Sequence, residues 1–182
     1  GLKRIHDNPR PGIRSLIGIA GVRPERINAG DIGFTLGPRL NAAGRLDTAL
    51  DAFTLLTTEE ISTAGLLAQK LDNQNRERQK LTKEIQVEAE NIALKDGKDP
   101  LLLFAVDPDF APGVIGLAAS RLSEMYYRPA IVAQRGETYT RGSCRSISEF
   151  HITAALDQCA DLLEQHGGHA AAAGFTVRND LL

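Results

Sequence analysis

Tryptophan is absent from this 182-residue sequence, and aromatic residues make up only 5% of it. Stacking platforms for nucleic-acid bases are therefore few. A nucleic acid held here would be held through its backbone, with little sequence preference. The two cysteines, Cys144 and Cys159, have no metal-ligand spacing and cannot build a disulfide framework. That fits a reducing compartment, and we expect the cytoplasm. No apolar run approaches the roughly 20 residues that span a bilayer, and no signal peptide opens the chain, so no membrane partner is expected. Charge of one sign is scarce too: the net charge is −2. That excludes a strongly basic coat for nucleic acid but leaves room for a local basic site. The sequence has no initiator methionine; Gly1 reads as the middle of a domain, and Leu182 falls just past a strand-like segment. We expect a piece of a larger protein.

What is present is an ordinary globular composition, 42% hydrophobic, with an uneven distribution of charge. Between Arg128 and Ser146 stand four arginines (Arg128, Arg135, Arg141, Arg145) and one acid, Glu137. The first 58 residues read as helices punctuated by Gly and Pro, with faces at Ile13, Leu16, Ile17 and Ala20 and a second short helix from Asp47 to Leu56. From Thr58, a plausible N-cap, a run without proline continues to about Lys95. It predicts one helix roughly 50 Å long at 1.5 Å per residue, a connector between domains. Its apolar stripe, Leu66, Leu67 and Leu71, then Leu81, Ile85, Ala89 and Ile92, is interrupted by the polar segment Asp72 to Lys80. That gap either faces solvent, which pattern alone favours, or faces a polar ligand.

Residues 96–100 predict a break, and alternating strands and helices follow. We expect strands at Leu101–Val106, Pro129–Ala133, Thr138–Arg141 and Gly174–Val177, with helices at Val114–Tyr126 and Ile152–Leu163. The class is α/β, and the second half is a compact α/β domain with a mixed sheet.

Three constellations can carry chemistry. Gly167-Gly168-His169, followed by four alanines and Gly174, offers backbone N–H groups for an anion nest and a titratable donor beside them. The alternative is a helix C-cap leading into a small-residue strand. Gly142-Ser143-Cys144-Arg145-Ser146 predicts a turn that ends the third strand, in which Arg145 is either a surface arginine, which the segment alone favours, or a planar fork for phosphate oxygens. Asp107-Pro108-Asp109 suits either a divalent metal or a helix cap, and the cap is favoured because no other ligand shares its spacing. His151 and His166 read as structural or surface residues. A lowered thiol pKa at Cys144 is conceivable beside Arg145, but no base accompanies it.

Several of these stretches, in this order, resemble one family. They are Asp31-Ile32-Gly33-Phe34 with Leu36 to Leu46; Leu71-Asp72-Asn73 with Asn75, Arg78 and Gln79; Gly113 to Gly116 with Ala119 to Leu122; Arg128-Pro129; Gly142-Ser143 with Arg145-Ser146; and Gly167-Gly168-His169. The sequence resembles the RecJ-type single-strand-specific 5′→3′ exonucleases of the DHH phosphoesterase superfamily. Cys144 departs from the pattern, where many relatives carry glycine.

The resemblance implies an enzyme of two lobes. One holds Mn²⁺ or Mg²⁺ through Asp and His clusters that include an Asp-His-His signature. The other grips DNA, and the whole hydrolyses phosphodiester bonds with metal-activated water in DNA repair and recombination. This sequence contains no Asp-His-His. On the resemblance, residues 1–58 are the end of the catalytic lobe, 59–95 the connecting helix and 96–182 the DHH-associated domain, truncated at its end. No metal is expected to bind here. Arg39 and Arg45, with Gln79, are the candidates for the 5′-side phosphates, and Asn41 is a further candidate for substrate binding. Ser143 and Arg145 form a second clamp, and His169 meets the scissile phosphate from the substrate-binding turn Gly167-Gly168. The expected partners are single-stranded DNA and a single-strand-binding protein. Two alternatives stand beside this reading: a DHH phosphoesterase acting on short RNA or small phosphorylated nucleotides, and a non-catalytic RNA-binding module like the tail of alanyl-tRNA synthetases.

Overall fold

Short helices fill the first part of the chain because its apolar residues recur every three to four positions between Gly and Pro breaks. The computed structural model describes residues 1–95, 97 and 99–182. The break expected at 96–100 therefore falls partly on Asp96 and Lys98, which lie outside the described residues. The helices are α1 (Leu2–Asp7), α2 (Pro11–Ile19), a 3₁₀ turn (Pro24–Arg26), α3 (Ala29–Asp31), a π turn (Ile32–Leu36), α4 (Gly37–Leu46) and α5 (Leu50–Thr57). Pro11 sits at the start of α2, where its missing N–H costs nothing. The glycine-dense stretch 33–45 is thus helical throughout. The long helix α6 (Ile61–Ala93) follows.

The chain divides into two units, Gly1–Gln79 and Lys80–Leu182, so the division falls inside α6. The first unit closes on Leu16, Ile17, Ile27, Leu36, Ala43, Ala52, Leu55, Ala64, Ala68 and Leu71, all buried. Burying each large aliphatic side chain contributes about 1.5–3 kcal/mol.

Two expectations about α6 need correction. Its start is not Thr58: the first helical bond runs from Ala64 N–H to the Glu60 carbonyl. Thr58 Oγ1 instead accepts the Glu60 N–H one turn earlier. The polar middle is a solvated gap only in part: Asn73, Arg76, Glu77, Gln79 and Lys80 are exposed, but two of its residues are inside. Asp72 and Asn75 are 1% and 3% exposed, whereas Leu66 is 76% exposed. The buried stripe runs through Ala64, Ala68, Leu71, Asp72 and Asn75 and resumes at Thr82, Ile85, Gln86 and Ala89, with Arg78 half-buried between the two parts. These steps of mostly three to four residues keep the 3.6-residue period. Polar side chains occupy the middle of the stripe, so hydropathy could not trace it.

The second unit contains β1 (Leu103–Asp107), α7 (Ile115–Tyr126), β2 (Ala130–Arg135), β3 (Tyr139–Arg145), α8 (Ile152–Asp157), a 3₁₀ turn (Ala160–Leu162), β4 (Leu163–His169) and β5 (Ala172–Arg178). They form one mixed sheet in the order β1-β2-β3-β5-β4, with only β1 and β2 parallel. Helix α7 packs over β2 and β3. The other face is covered by α8 through Ile152 and Leu156, which meet Ile131, Cys144, Ala173 and Phe175. Among the described residues, no helix is long and apolar enough to cross a membrane.

Four local expectations change here. Gly142 to Arg145 lie inside β3 rather than in a turn after it, held by pairing to both β2 and β5. The helix at Ile152 stops at Asp157 instead of Leu163. Gly167-Gly168-His169 is the end of strand β4, so the nest and the helix C-cap both give way to a ladder with β5. The tight turn is Ala170-Ala171. Asp107 does not cap α7: its Oδ1 accepts the N–H of Asp109, while Val114 precedes the helix.

Candidate functional site

Strand alternation decides which of the predicted residues meet. In β3, Arg141, Ser143 and Arg145 share one face, the face on which α7 lies. The cross-strand register extends that face outward in rows. Arg145 pairs with Ala172, which pairs with His169. Ser143 pairs with Gly174, which pairs with Gly167. Arg141 pairs with Thr176, which pairs with Gln165. Among the described residues, helix α7 packs mainly on β2 and β3, while Gln165, Gly167 and His169 of β4 are exposed. The outcome is an open shelf whose middle row, Gly174 and Gly167, has no side chains. It is bounded by Arg145 and His169 on one side and by Arg141 and Gln165 on the other. Two strand spacings of roughly 4.8 Å separate the Arg145 backbone from that of His169. A shallow cavity of about 330 Å³ lies against Arg141, Gln165, Gly174 and Thr176.

The clamp side is held in place by neighbours. Arg145 Nη1 donates to Ser143 Oγ at 3.1 Å and to the Cys144 carbonyl at 2.8 Å. Gly116, in the first turn of α7, stands over the pair. A Cβ there would lie 2.8 Å from Ser143 Oγ and 2.9 Å from Arg145 Nη2. Gly116 is thus a residue of the site whose role sequence reasoning missed. It stood among the family-like residues, but nothing local tied it to a strand 27 residues away.

The His169 side is anchored by its main chain. Thr153 Oγ1 donates to the His169 carbonyl at 2.7 Å, Ile152 N–H to the Ala170 carbonyl at 3.0 Å, and Ser146 N–H to the Ala171 carbonyl at 2.9 Å. Three successive carbonyls are pinned while the imidazole stays exposed. The two glycines before it differ in task. Gly167 has open space where a Cβ would sit and belongs to the shelf. Gly168 has φ +153°, and a Cβ there would lie 2.3 Å from the Ala172 carbonyl oxygen. Gly168 pairs with Ala173 and so belongs to the opposite face; it lets the hairpin close.

The four arginines of 128–146 separate. Arg128 is tied to the Asp99 carboxylate and the Pro100 carbonyl, and its guanidinium holds the Asp99 carboxyl below the usual range. Arg135 is exposed at the end of β2, and only Arg141 and Arg145 reach the shelf. Burial pushes the Cys144 thiol up to about 12, with Arg145 pulling weakly the other way. That removes the activated-thiol reading. His151 accepts the Ala154 N–H as the cap of α8, and His166 meets Asp157 at 2.9 Å; both act structurally.

In the first unit, Arg39, Asn41 and Arg45 lie on α4, and Gln79 lies on α6. Arg39 and Arg45 are six residues apart, about 120° around the helix, so they do not share a face. Arg39 is half-buried against Asp72, whereas Asn41, Arg45 and Gln79 are exposed. Among the described residues, no three His, Cys, Asp or Glu side chains come together as metal ligands.

The DHHA1 domain family matches residues 98–181. The single-stranded-DNA-specific exonuclease RecJ of Bacillus subtilis is 38% identical over 180 residues, covering 98% of this chain and 23% of the relative. RecJ of Escherichia coli is 38% identical over 190 residues, covering 99% of this chain and 33% of the relative. The chain thus spans about a quarter to a third of the length of these curated relatives. Among solved structures, RecJ of Thermus thermophilus in complex with Mg²⁺ superposes with a TM-score of 0.85 at 33% identity, over 100% of this chain and 28% of the other. Exonuclease RecJ bound to manganese gives 0.82 at 33% identity, over 100% of this chain and 44% of the other.

Proposed function

The chain is homologous to a region of RecJ, the single-stranded-DNA-specific exonuclease, and carries a DHHA1 domain; from that premise we propose that it is the substrate-binding part of a 5′→3′ exonuclease acting on single-stranded DNA. Residues 1–58 end the catalytic lobe, 59–95 connect, and 96–182 form the associated domain. The observation that carries the reading is the open shelf. Its bare Gly174–Gly167 floor admits a sugar-phosphate backbone, with Arg145 and Ser143 on one strand and His169 two strands away.

Arg145 supplies a charge-assisted fork to a non-bridging phosphate oxygen, and Ser143 both orients that fork and offers its hydroxyl. His169 donates from its ring to the oxygen on which charge develops at the scissile phosphate. It does so from a backbone already fixed, so little reorganisation is needed in the transition state. Arg39, Asn41, Arg45 and Gln79 contact the 5′-side phosphates. The relatives' structures hold Mg²⁺ or Mn²⁺, but the described residues of this chain do not fit such an ion. In the same proposal, residues outside this chain hold the metal of the intact nuclease. With few aromatics to stack bases, contacts run to the backbone and sequence preference is low. Action in the cytoplasm, in DNA repair and recombination and beside a single-strand-binding protein, belongs to the same proposal.

The test is cleavage by the intact protein of a single-stranded oligodeoxynucleotide labelled at either end, with short RNA in parallel. Preferred stepwise release from the 5′ end of DNA is expected. Preference for short RNA would overturn the reading.

A further inference from the structure

Asp72 is a carboxylate that the packing of its unit does not need. It is 1% exposed, in a stripe whose neighbours Ala68 and Leu71 are apolar. Its Oδ1 accepts a hydrogen bond from Arg39 Nε at 2.9 Å. Its Oδ2 lies 2.9 Å from Arg76 Nη2, yet no donor among the described residues is aligned to hydrogen-bond it. Burying a carboxylate costs desolvation, and an imperfectly satisfied ion pair returns little of it. Apolar residues of similar volume in place of the whole Arg39–Asp72 pair would serve the fold at least as well.

What the carboxylate does is fix Arg39. The guanidinium is held at Nε by Asp72 and at Nη1 by the Thr35 carbonyl at 2.6 Å. Thr35 belongs to the π turn Ile32–Leu36, a backbone irregularity of the kind found at functional sites. Two contacts on a planar group leave it no freedom to rotate. Among the described residues nothing hydrogen-bonds its Nη2. The Arg39 side chain is still 17% exposed, and Arg76, sharing the same carboxylate, is 73% exposed. Two guanidiniums around one carboxylate leave positive charge in excess at that point.

We infer that Asp72 is a positioning residue, which locks Arg39 as a preorganised fork for a phosphate of the bound strand, with Arg76 adding charge beside it. The inference rests on the reading of Arg39 as a phosphate contact. A flexible arginine would lose rotamer freedom on each binding event, and a locked one has already lost it in folding.

The experiment compares Asp72→Asn, Arg39→Ala, their double variant and Arg39→Lys in the intact nuclease. KM and kcat are measured on a 5′-phosphorylated oligothymidylate, with thermal unfolding on the same preparations. Asp72→Asn and Arg39→Ala are each expected to raise KM about tenfold while changing kcat much less. The double variant should be no worse than Arg39→Ala, because Asp72 acts only through Arg39. A full additional loss in the double variant, or an unchanged KM in Asp72→Asn, overturns the inference and leaves the phosphate reading standing. An unchanged KM in Arg39→Ala overturns the phosphate reading and the inference with it. Arg39→Lys keeps the charge and leaves Asp72 in place but removes the fork. Its KM should rise like that of Arg39→Ala, and a wild-type KM would overturn the inference even if Asp72→Asn fails to fold.

Discussion

The His169 imidazole is exposed, while its carbonyl is bound to Thr153. Removing the ring therefore takes nothing from the core. In the intact enzyme, His169→Ala should leave the melting temperature near wild type and lower kcat about a hundredfold to a thousandfold, the equivalent of roughly 3–4 kcal/mol of transition-state contact. A fallen melting temperature with unchanged single-turnover cleavage would return it to a structural role. Arg145 and Arg135 make an internal control, one on the shelf and one exposed at the end of β2. Losing a charge-assisted phosphate contact costs on the order of 1.5–3 kcal/mol. Arg145→Ala should thus raise KM for single-stranded DNA at least tenfold, and Arg135→Ala should barely change it. Equal KM values would count against the clamp. For the thiols the sign is set by burial. Cys144 ionises at about 12 when folded against 9.0 ordinarily. The stabilisation from keeping this thiol protonated is full below about pH 9 and is lost progressively as pH rises toward 12. At pH 8 a thiol reagent should titrate the exposed Cys159 in the native chain and Cys144 only in denaturant; equal rates for both would refute it.

Helix α7 acts on the site through its first turn. Gly116 leaves room for the Ser143–Arg145 pair, and both neighbours are side-chain ends rather than backbone. Gly116→Ala gains helix propensity but pushes the pair by several tenths of an ångström. Stability should hold while KM rises, and a wild-type KM would mean the pair tolerates displacement. Helix α8 acts on the other wall. Its Thr153 and Ile152 grip the β4–β5 hairpin. Thr153→Val leaves the His169 carbonyl without that donor, so kcat should fall several-fold without the loss of the ring. An unchanged kcat would show that the two remaining bonds suffice.

For the molecule as a whole, no three candidate ligand side chains come together among the described residues. We expect this 182-residue chain by itself to show no Mn²⁺-dependent degradation of labelled single-stranded DNA. Degradation that survives purification controls would refute the division of labour between this chain and the rest of the nuclease.

The α/β class, the long helix and most of the strands were legible in the sequence. Periodicity and breaks are local properties, and 33 consecutive residues without proline leave the backbone few alternatives to α6. The residue types of the candidate site were legible too, since glycine, histidine, serine and arginine carry their chemistry wherever they fold. Which of them meet was not. Gly142 to Arg145 and Gly167 to His169 look like turns because glycine and small polar residues favour turns in isolation. Pairing on both sides of β3 and against β5 overrides that preference. The same pairing decides that Gly167 faces the shelf and Gly168 the core side, a one-residue alternation that composition cannot reveal. Nor does hydropathy reveal that Asp72 and Asn75 are inside. Asn75 is met within α6 by Arg78, one turn further on, but the burial of Asp72 depends on Arg39 arriving from α4 to meet it. A polar side chain can join a buried stripe only where such partners exist, and for Asp72 only the tertiary structure supplies one.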